Sequence, residues 1–161
     1  RPGDMRQAPI QLQVVVQEVA SRVADDLRRH DIELVLAHCA APLWVRGDAI
    51  ALSQVVLNVF RNAIDALAQA AWRQIEVSCH QADEHAVLRI RDTGLGLSPD
   101  AIAKVGEPFF TTKPSGLGLG ISISRSIAAQ HGGSLSLANV AKSGGGAVAE
   151  LKLPQVAQPA H

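Results

Sequence analysis

The stretch FFTTKPSGLGLGISIS, Phe109 to Ser124, carries two aromatics, two threonines and a lysine into three alternating glycines, then into an apolar helical pattern. Gly116, Gly118 and Gly120 imply a turn that a side chain would obstruct, or a close approach of backbone to something else. Glycines directly ahead of a helix leave free N–H groups at the positive end of its dipole, a setting that favours phosphate. Lys113 and the hydroxyls of Thr111 and Thr112 are candidates for the same anion. Two commoner phosphate fingerprints do not fit. The pattern G-x-x-x-x-G-K-[ST] is absent, and the strand–G-x-G-x-x-G–helix pattern lacks its third glycine, because Ile121 follows Gly120.

Upstream, AVLRIRD alternates as a strand, with Leu88, Ile90 and Asp92 on one face. That places a carboxylate at the end of a face otherwise committed to the core, where it needs donors. The 6-amino group of adenine is a suitable one, since a charge-assisted bond contributes about 1.5–3 kcal/mol. Gly94 and Gly96 then let the chain pass flat against a ring. The stretch from Thr93 to Ser115 reads as a long irregular loop with one short helix near Pro99 to Val105, a length often tied to function.

Further upstream, Asp48 is placed to cap a helix whose apolar stripe includes Leu52, Val55, Val56, Val59 and Ala63, running to about Ala70. Gln54, Asn58, Asn62 and Asp65 share another face of it. Mid-helix asparagines are poor by propensity. They read either as a polar outer face or as a column of oxygen ligands for a hard cation such as Mg²⁺, shared with substrate phosphates.

The remaining pattern gives an amphipathic helix over Val16, Val19, Ala20, Val23 and Leu27, a strand in DIELVLA, a short one at Trp44-Val45, and a hairpin of QIEVSCH with AVLRIRD. A third long helix runs from near Leu119 to Gly132-Gly133, and SLSLANV and GAVAELKLP close the domain as strands. The expected fold is α+β, a two-layer sandwich with a mixed sheet of about five strands covered on one face by three helices. Residues 1–10 read as a linker, 11–154 as one domain and 155–161 as a disordered tail. The 161 residues carry zero formal net charge, which weighs against a nucleic-acid partner. Cys39 and Cys79 have no metal-ligand spacing around them and read as reduced thiols of a cytoplasmic domain. A membrane-anchored parent stays open.

Together, QVVLNVFRNAIDAL, RDTGLGLS, EPFFTT and GLGLGISIS resemble the N, G1, F and G2 boxes of the catalytic and ATP-binding domain of sensor histidine kinases, in the superfamily that also holds gyrase, Hsp90 and MutL. The EPFFTTK variant looks most like the nitrogen-regulation and C4-dicarboxylate branch. The resemblance implies that Asn58 and Asn62 help hold Mg²⁺ and the phosphates, with Asp65 beside them. It implies that Asp92 reads adenine, that Gly94 and Gly96 are the G1 glycines, and that Phe109 and Phe110 are the aromatics of a mobile ATP lid. Gly116, Gly118 and Gly120, with Leu117 and Leu119 between them, match the cradle under the triphosphate of ATP, Leu117 standing where many relatives carry threonine.

The implied reaction is transfer of the γ-phosphoryl to a histidine on a separate dimerisation domain, for relay to a response regulator, within a homodimeric parent. None of the six histidines here has an acceptor-like context. In the hydrolases of the superfamily, a glutamate one turn before the second asparagine resembles a general base. Here that position is Asn58, which takes up no proton at neutral pH. A non-catalytic nucleotide-binding module is the other alternative.

Overall fold

A computed structural model describes residues 6–37, 39, 41–94, 117–140 and 146–160. In chain order the elements are β1 (Ala8–Gln11), α1 (Leu12–Arg22), α2 (Ala24–Arg29), β2 (Glu33–Leu36), β3 (Trp44–Gly47), α3 (Ala49–Ala66), β4 (Gln74–Ala82), β5 (His85–Asp92), α4 (Leu117–Gln130), β6 (Ser134–Asn139) and β7 (Ala147–Pro154). Five strands form one sheet in the order β2-β4-β5-β7-β6. β2 runs parallel to β4, and the other pairs are antiparallel. β1 and β3 make a separate two-stranded ribbon.

Alternation decides which face is covered. Ala86, Leu88 and Ile90 of β5 are buried with Ile75 and Val77 of β4, Leu135 of β6 and Ala149, Leu151 and Leu153 of β7. Onto them α3 lays Leu52, Val55, Val56, Val59, Phe60, Ala63 and Ile64, and α1 adds Leu12, Val15, Val16 and Val19. On the opposite sheet face, Arg89 and Glu150 pair across β5 and β7 at 3.5 Å. This is the expected two-layer α+β sandwich. The hairpin between β4 and β5 turns through Asp83, at φ 55, a left-handed conformation that aspartate tolerates.

Several boundaries differ from the sequence expectation. The first helix starts at Leu12 and is interrupted at Val23 (φ −95, ψ 4), although Val23 and Leu27 both stay buried against the core. α3 stops at Ala66 instead of Ala70, with no glycine or proline to stop it. Beyond it, the Arg73 guanidinium donates to the carbonyls of Ala70 (3.0 Å), Ala68 (3.0 Å) and His30 (2.8 Å), taking up the carbonyl ends of both α3 and α2. Ala8–Gln11, mostly inside the expected linker, is a strand: Pro9 lacks an N–H but is tolerated at an edge. In the expected tail, the Gln155 N–H donates to Glu84 O (2.9 Å) and the Val156 N–H to Trp44 O (2.8 Å), tying the end of the last strand to the β4–β5 turn and to β3. α4 begins at Leu117, two residues early.

Cys39 and Cys79 are unpaired, and burial, helped by the neighbouring Cys39, pushes the Cys79 thiol up to about 11. No helix among the described residues is long and apolar enough to cross a membrane.

Candidate nucleotide site

α3 is fixed at its first turn by Asp48. Asp48 Oδ1 accepts from the N–H groups of Ile50 (2.9 Å) and Ala51 (3.1 Å), and Oδ2 from that of Arg6 (3.1 Å). These donors, Ala51 foremost, hold its carboxyl below the ordinary aspartate range. The Asp48 N–H in turn donates to His131 Nε2 (3.1 Å), while His131 Nδ1 lies 2.8 Å from the Ile127 carbonyl. A carbonyl only accepts, so Nδ1 carries the proton and Nε2 offers its lone pair. A Cβ on Gly47 would sit 2.7 Å from the buried His131 ring. The start of α3 is thereby pinned to the end of α4, and this sets the seam between them.

Along that seam Asn58 reaches α4. Its Nδ2 donates to Ser124 Oγ (3.1 Å) and the Gly120 carbonyl (3.4 Å), and its Oδ1 accepts from Gln54 Nε2 (3.1 Å). One turn further on, Asn62 Nδ2 is buried with no hydrogen-bond partner among the described residues. Leaving such a donor unpaired costs about 1–3 kcal/mol, so a native chain keeps it for a reason. Asp65 is solvent-exposed on the same helix.

The C-terminal end of α3 meets the end of β5. Asp92 is 6% exposed, and its Oδ1 accepts from the N–H groups of Gly94 (2.9 Å) and Ala147 (3.4 Å). Gly94 lies so close to α3 that a Cβ there would stand 2.6 Å from the Ala66 carbonyl oxygen. Behind Asp92, Gly146 has φ +89, and its Cβ would fall 1.9 Å from the Asp92 carbonyl oxygen. The buried Thr93 fastens the corner to β4: its hydroxyl donates to Trp72 O (2.6 Å) and accepts from the Gln74 N–H (2.9 Å).

Asn58, Asn62 and Ala66 recur every fourth residue and so lie along one side of α3. Over that distance, about 12 Å at 1.5 Å per residue, α3 touches Gly120 of α4 at Asn58 and Gly94 at Ala66, with Asn62 between. Asp92, Asn62 and the first turn of α4, which contains Gly118, therefore border one region. Gly96, Phe109, Phe110, Thr111, Thr112, Lys113 and Gly116 lie outside the described residues, and of Leu117, Gly118 and Leu119 only the helical backbone is described.

The residues present fit a hard cation shared with phosphates. Amide oxygens suit such an ion, and no group of three or more His, Cys, Asp or Glu among the described residues offers a protein-only cage. The orphaned Asn62 amide and the N–H groups of a helix start are both suited to phosphate oxygens.

Residues 47–157 match the family described as histidine kinase-, DNA gyrase B- and HSP90-like ATPases. The chain belongs to this ATPase family. Among curated relatives, the C4-dicarboxylate transport sensor protein DctB of Pseudomonas aeruginosa is 42% identical over 92% of this chain and 25% of its own length. The sensor protein FixL of Bradyrhizobium diazoefficiens is 33% identical over 94% of this chain and 30% of its own. The chain thus spans about a quarter to a third of these relatives. Among solved structures, the catalytic domain of histidine kinase ThkA superposes with a TM-score of 0.83 at 26% identity, covering 94% of this chain and 97% of that one. Full-length ShkA in complex with AMPPNP gives 0.81 at 25% identity over 98% of this chain and 33% of its own. In this ATPase family member, Ser124, Thr93, Gly146 and His131 support the site, and none was singled out from sequence as a site residue. The available signals were a threonine locked between Asp92 and Gly94, and the run of three glycines ending at Gly146.

Proposed function

We propose that this chain is the ATP-binding catalytic domain of a two-component sensor histidine kinase. It would bind Mg-ATP and donate the γ-phosphoryl to a histidine on a separate dimerisation domain, for relay to an aspartate of a response regulator. In this reading, the residues ahead of β1 lead from that dimerisation domain, the chain from β1 through Val156 forms the catalytic domain, and the parent is a homodimeric sensor whose catalytic domain acts in the cytoplasm. The observation that carries the proposal is the line of Asn58, Asn62 and Ala66 on α3, which joins the Asp92 corner at one end to the glycine turn of α4 at the other.

Each residue has a role in this mechanism. Asp92 accepts the exocyclic amino group of adenine, and Gly94 lets the backbone pass beside the ring. The N–H groups at the start of α4, from Leu117 to Gly120, cradle the phosphates. Asn58 and Asn62 hold the metal and phosphate end. Held there by their amide oxygens, Mg²⁺ would supply charge neutralisation for the transfer. By the family resemblance, Gly96 would pass beside the ring with Gly94, Gly116 would belong to the cradle, Phe109 and Phe110 would be the aromatics of the lid, and Thr111, Thr112 and Lys113 would reach the same phosphates. Positioning and neutralisation suffice for phosphoryl transfer. At Asn58, where a hydrolase would need a base, the amide has no proton affinity to offer. That supports transfer to an imported nucleophile over attack by water.

The test is incubation of the parent's helical hairpin together with this domain, γ-labelled ATP and Mg²⁺. The expected product is acid-labile, base-stable label on the hairpin's histidine. Release of inorganic phosphate without labelled protein would instead favour an ATPase, and neither product a nucleotide-binding module.

A further inference from the structure

The seam between α3 and α4 is held by an amide whose orientation is fully determined. Gly120 O can only accept, so the Asn58 nitrogen must face α4. Its two N–H groups are then both used, one on Gly120 O and the other, at 3.1 Å, on the Ser124 hydroxyl. Ser124 is completely buried, and nearly seventy residues separate it in sequence from the asparagine it binds. With its hydroxyl inside the fold, Ser124 gives the second N–H of the amide a fixed protein acceptor. On the other side, Gln54 Nε2 donates to Asn58 Oδ1, so the asparagine is gripped at both ends.

Gly120, the residue whose carbonyl shares this amide, sits in the first turn of α4, within the segment that the proposed function assigns to phosphate. A Cβ on Gly120 would stand 4.0 Å from the Asn58 amide carbon, so the two helices are in close register there. One helical turn along α3 lies the orphaned Asn62 amide. Sliding or rotating α4 against α3 would move the glycine turn relative to Asn62 and leave the Asp92 corner in place, because that corner is tied to β4, β7 and the end of α3.

We propose that Ser124 is a positioning residue: acting through Asn58, it sets the register of the glycine turn of α4 against Asn62, and so governs the phosphate end of the site without governing the base end. This rests on the proposed function, in that it assumes the α4 turn receives phosphates.

The experiment compares wild type, Ser124→Ala, Asn58→Ala and the double variant. Displacement of a fluorescent ATP analogue by ADP and by adenosine, in the presence of Mg²⁺, gives the ratio of the two affinities within each protein. A loss of folded fraction cancels from that ratio. Ser124→Ala is expected to weaken ADP about 3- to 10-fold, the range of one hydrogen bond, with adenosine unchanged within about twofold. In the Asn58→Ala background, Ser124→Ala should add nothing further to the loss. Equal weakening of ADP and adenosine, no change in either, or losses that simply add in the double variant would each overturn the proposal. Failure of wild type to bind the analogue at all would instead remove the nucleotide reading on which it rests.

Discussion

At the Asp92 corner the polar groups are gripped by backbone. The carboxylate takes two N–H groups, Thr93 spans to β4, and two glycines admit neighbouring chain where a Cβ could not fit. At Asn62, one turn along α3 from the seam, the amide nitrogen is buried with no partner among the described residues. The first region is complete before any ligand arrives; the second retains an unmet donor. On the proposed function, the contrast is the one expected of a site that would recognise a rigid, flat base by preset geometry while its metal and phosphate end would be satisfied only on binding.

The largest expected effect tests the rigid end. Gly146→Ala forces a Cβ against the Asp92 carbonyl and a φ near +89 on an L residue. It should cost about 2–4 kcal/mol in chemical denaturation and abolish nucleotide binding in whatever folded protein remains. Wild-type ATP affinity in this variant would mean that the corner is not needed in its present place. Asp92→Asn is the subtler version. Its side-chain oxygen still accepts from Gly94 and Ala147, so the melt should barely move, whereas ATP affinity should fall about 10- to 150-fold, the equivalent of ~1.5–3 kcal/mol. An unchanged titration curve would reject adenine recognition by this residue.

Asn62→Leu addresses the unmet donor and should push two properties in opposite directions. Replacing a buried unpaired amide with an apolar side chain should stabilise the fold by about 1 kcal/mol, while phosphoryl transfer drops roughly 10- to 100-fold or more. Were the variant less stable than wild type, Asn62 would have an internal partner and the contrast between the two ends would disappear. The smallest effect belongs to the cap that fixes α3. Asp48→Ala should cost about 1 kcal/mol, lowering Tm by roughly 2–4 °C. Its pH signature has a definite sign. Because folding depresses the Asp48 pKa, the stabilisation is present above the ordinary aspartate range and is lost as pH falls through the lowered folded value. Asp48→Asn should flatten that part of the acid limb of stability against pH; an identical limb would assign the dependence to other groups.

The sequence made the local features legible. Asp48 ahead of an apolar stripe announces a cap, and alternation on both sides of Asp83 announces the hairpin, because cap and turn are built from neighbours. The asparagine spacing and the placement of Asp92 on a core-facing strand followed from helical and strand periodicity. Features set by distant partners stayed hidden. Ala66 ends α3 because Gly94 comes up against its carbonyl and Arg73 takes the carbonyls beyond it, which no residue near position 66 signals. His131 and Ser124 look like ordinary helix residues until Asp48 and Asn58 are brought to them from far along the chain. β1 was obscured by Pro9, whose composition suggests linker while its edge position permits pairing.

Arg73 has a bearing on how the domain can be divided. A single planar fork joins the tail of α2, through His30, to the tail of α3, through Ala68 and Ala70, and it arrives on the chain only after both helices have been made. A fragment ending before residue 73 would leave two helix tails with bare carbonyls and the negative ends of their dipoles uncompensated. The amino-terminal helices are therefore not a separable module: their closure waits on the residue that leads into the second strand of the sheet.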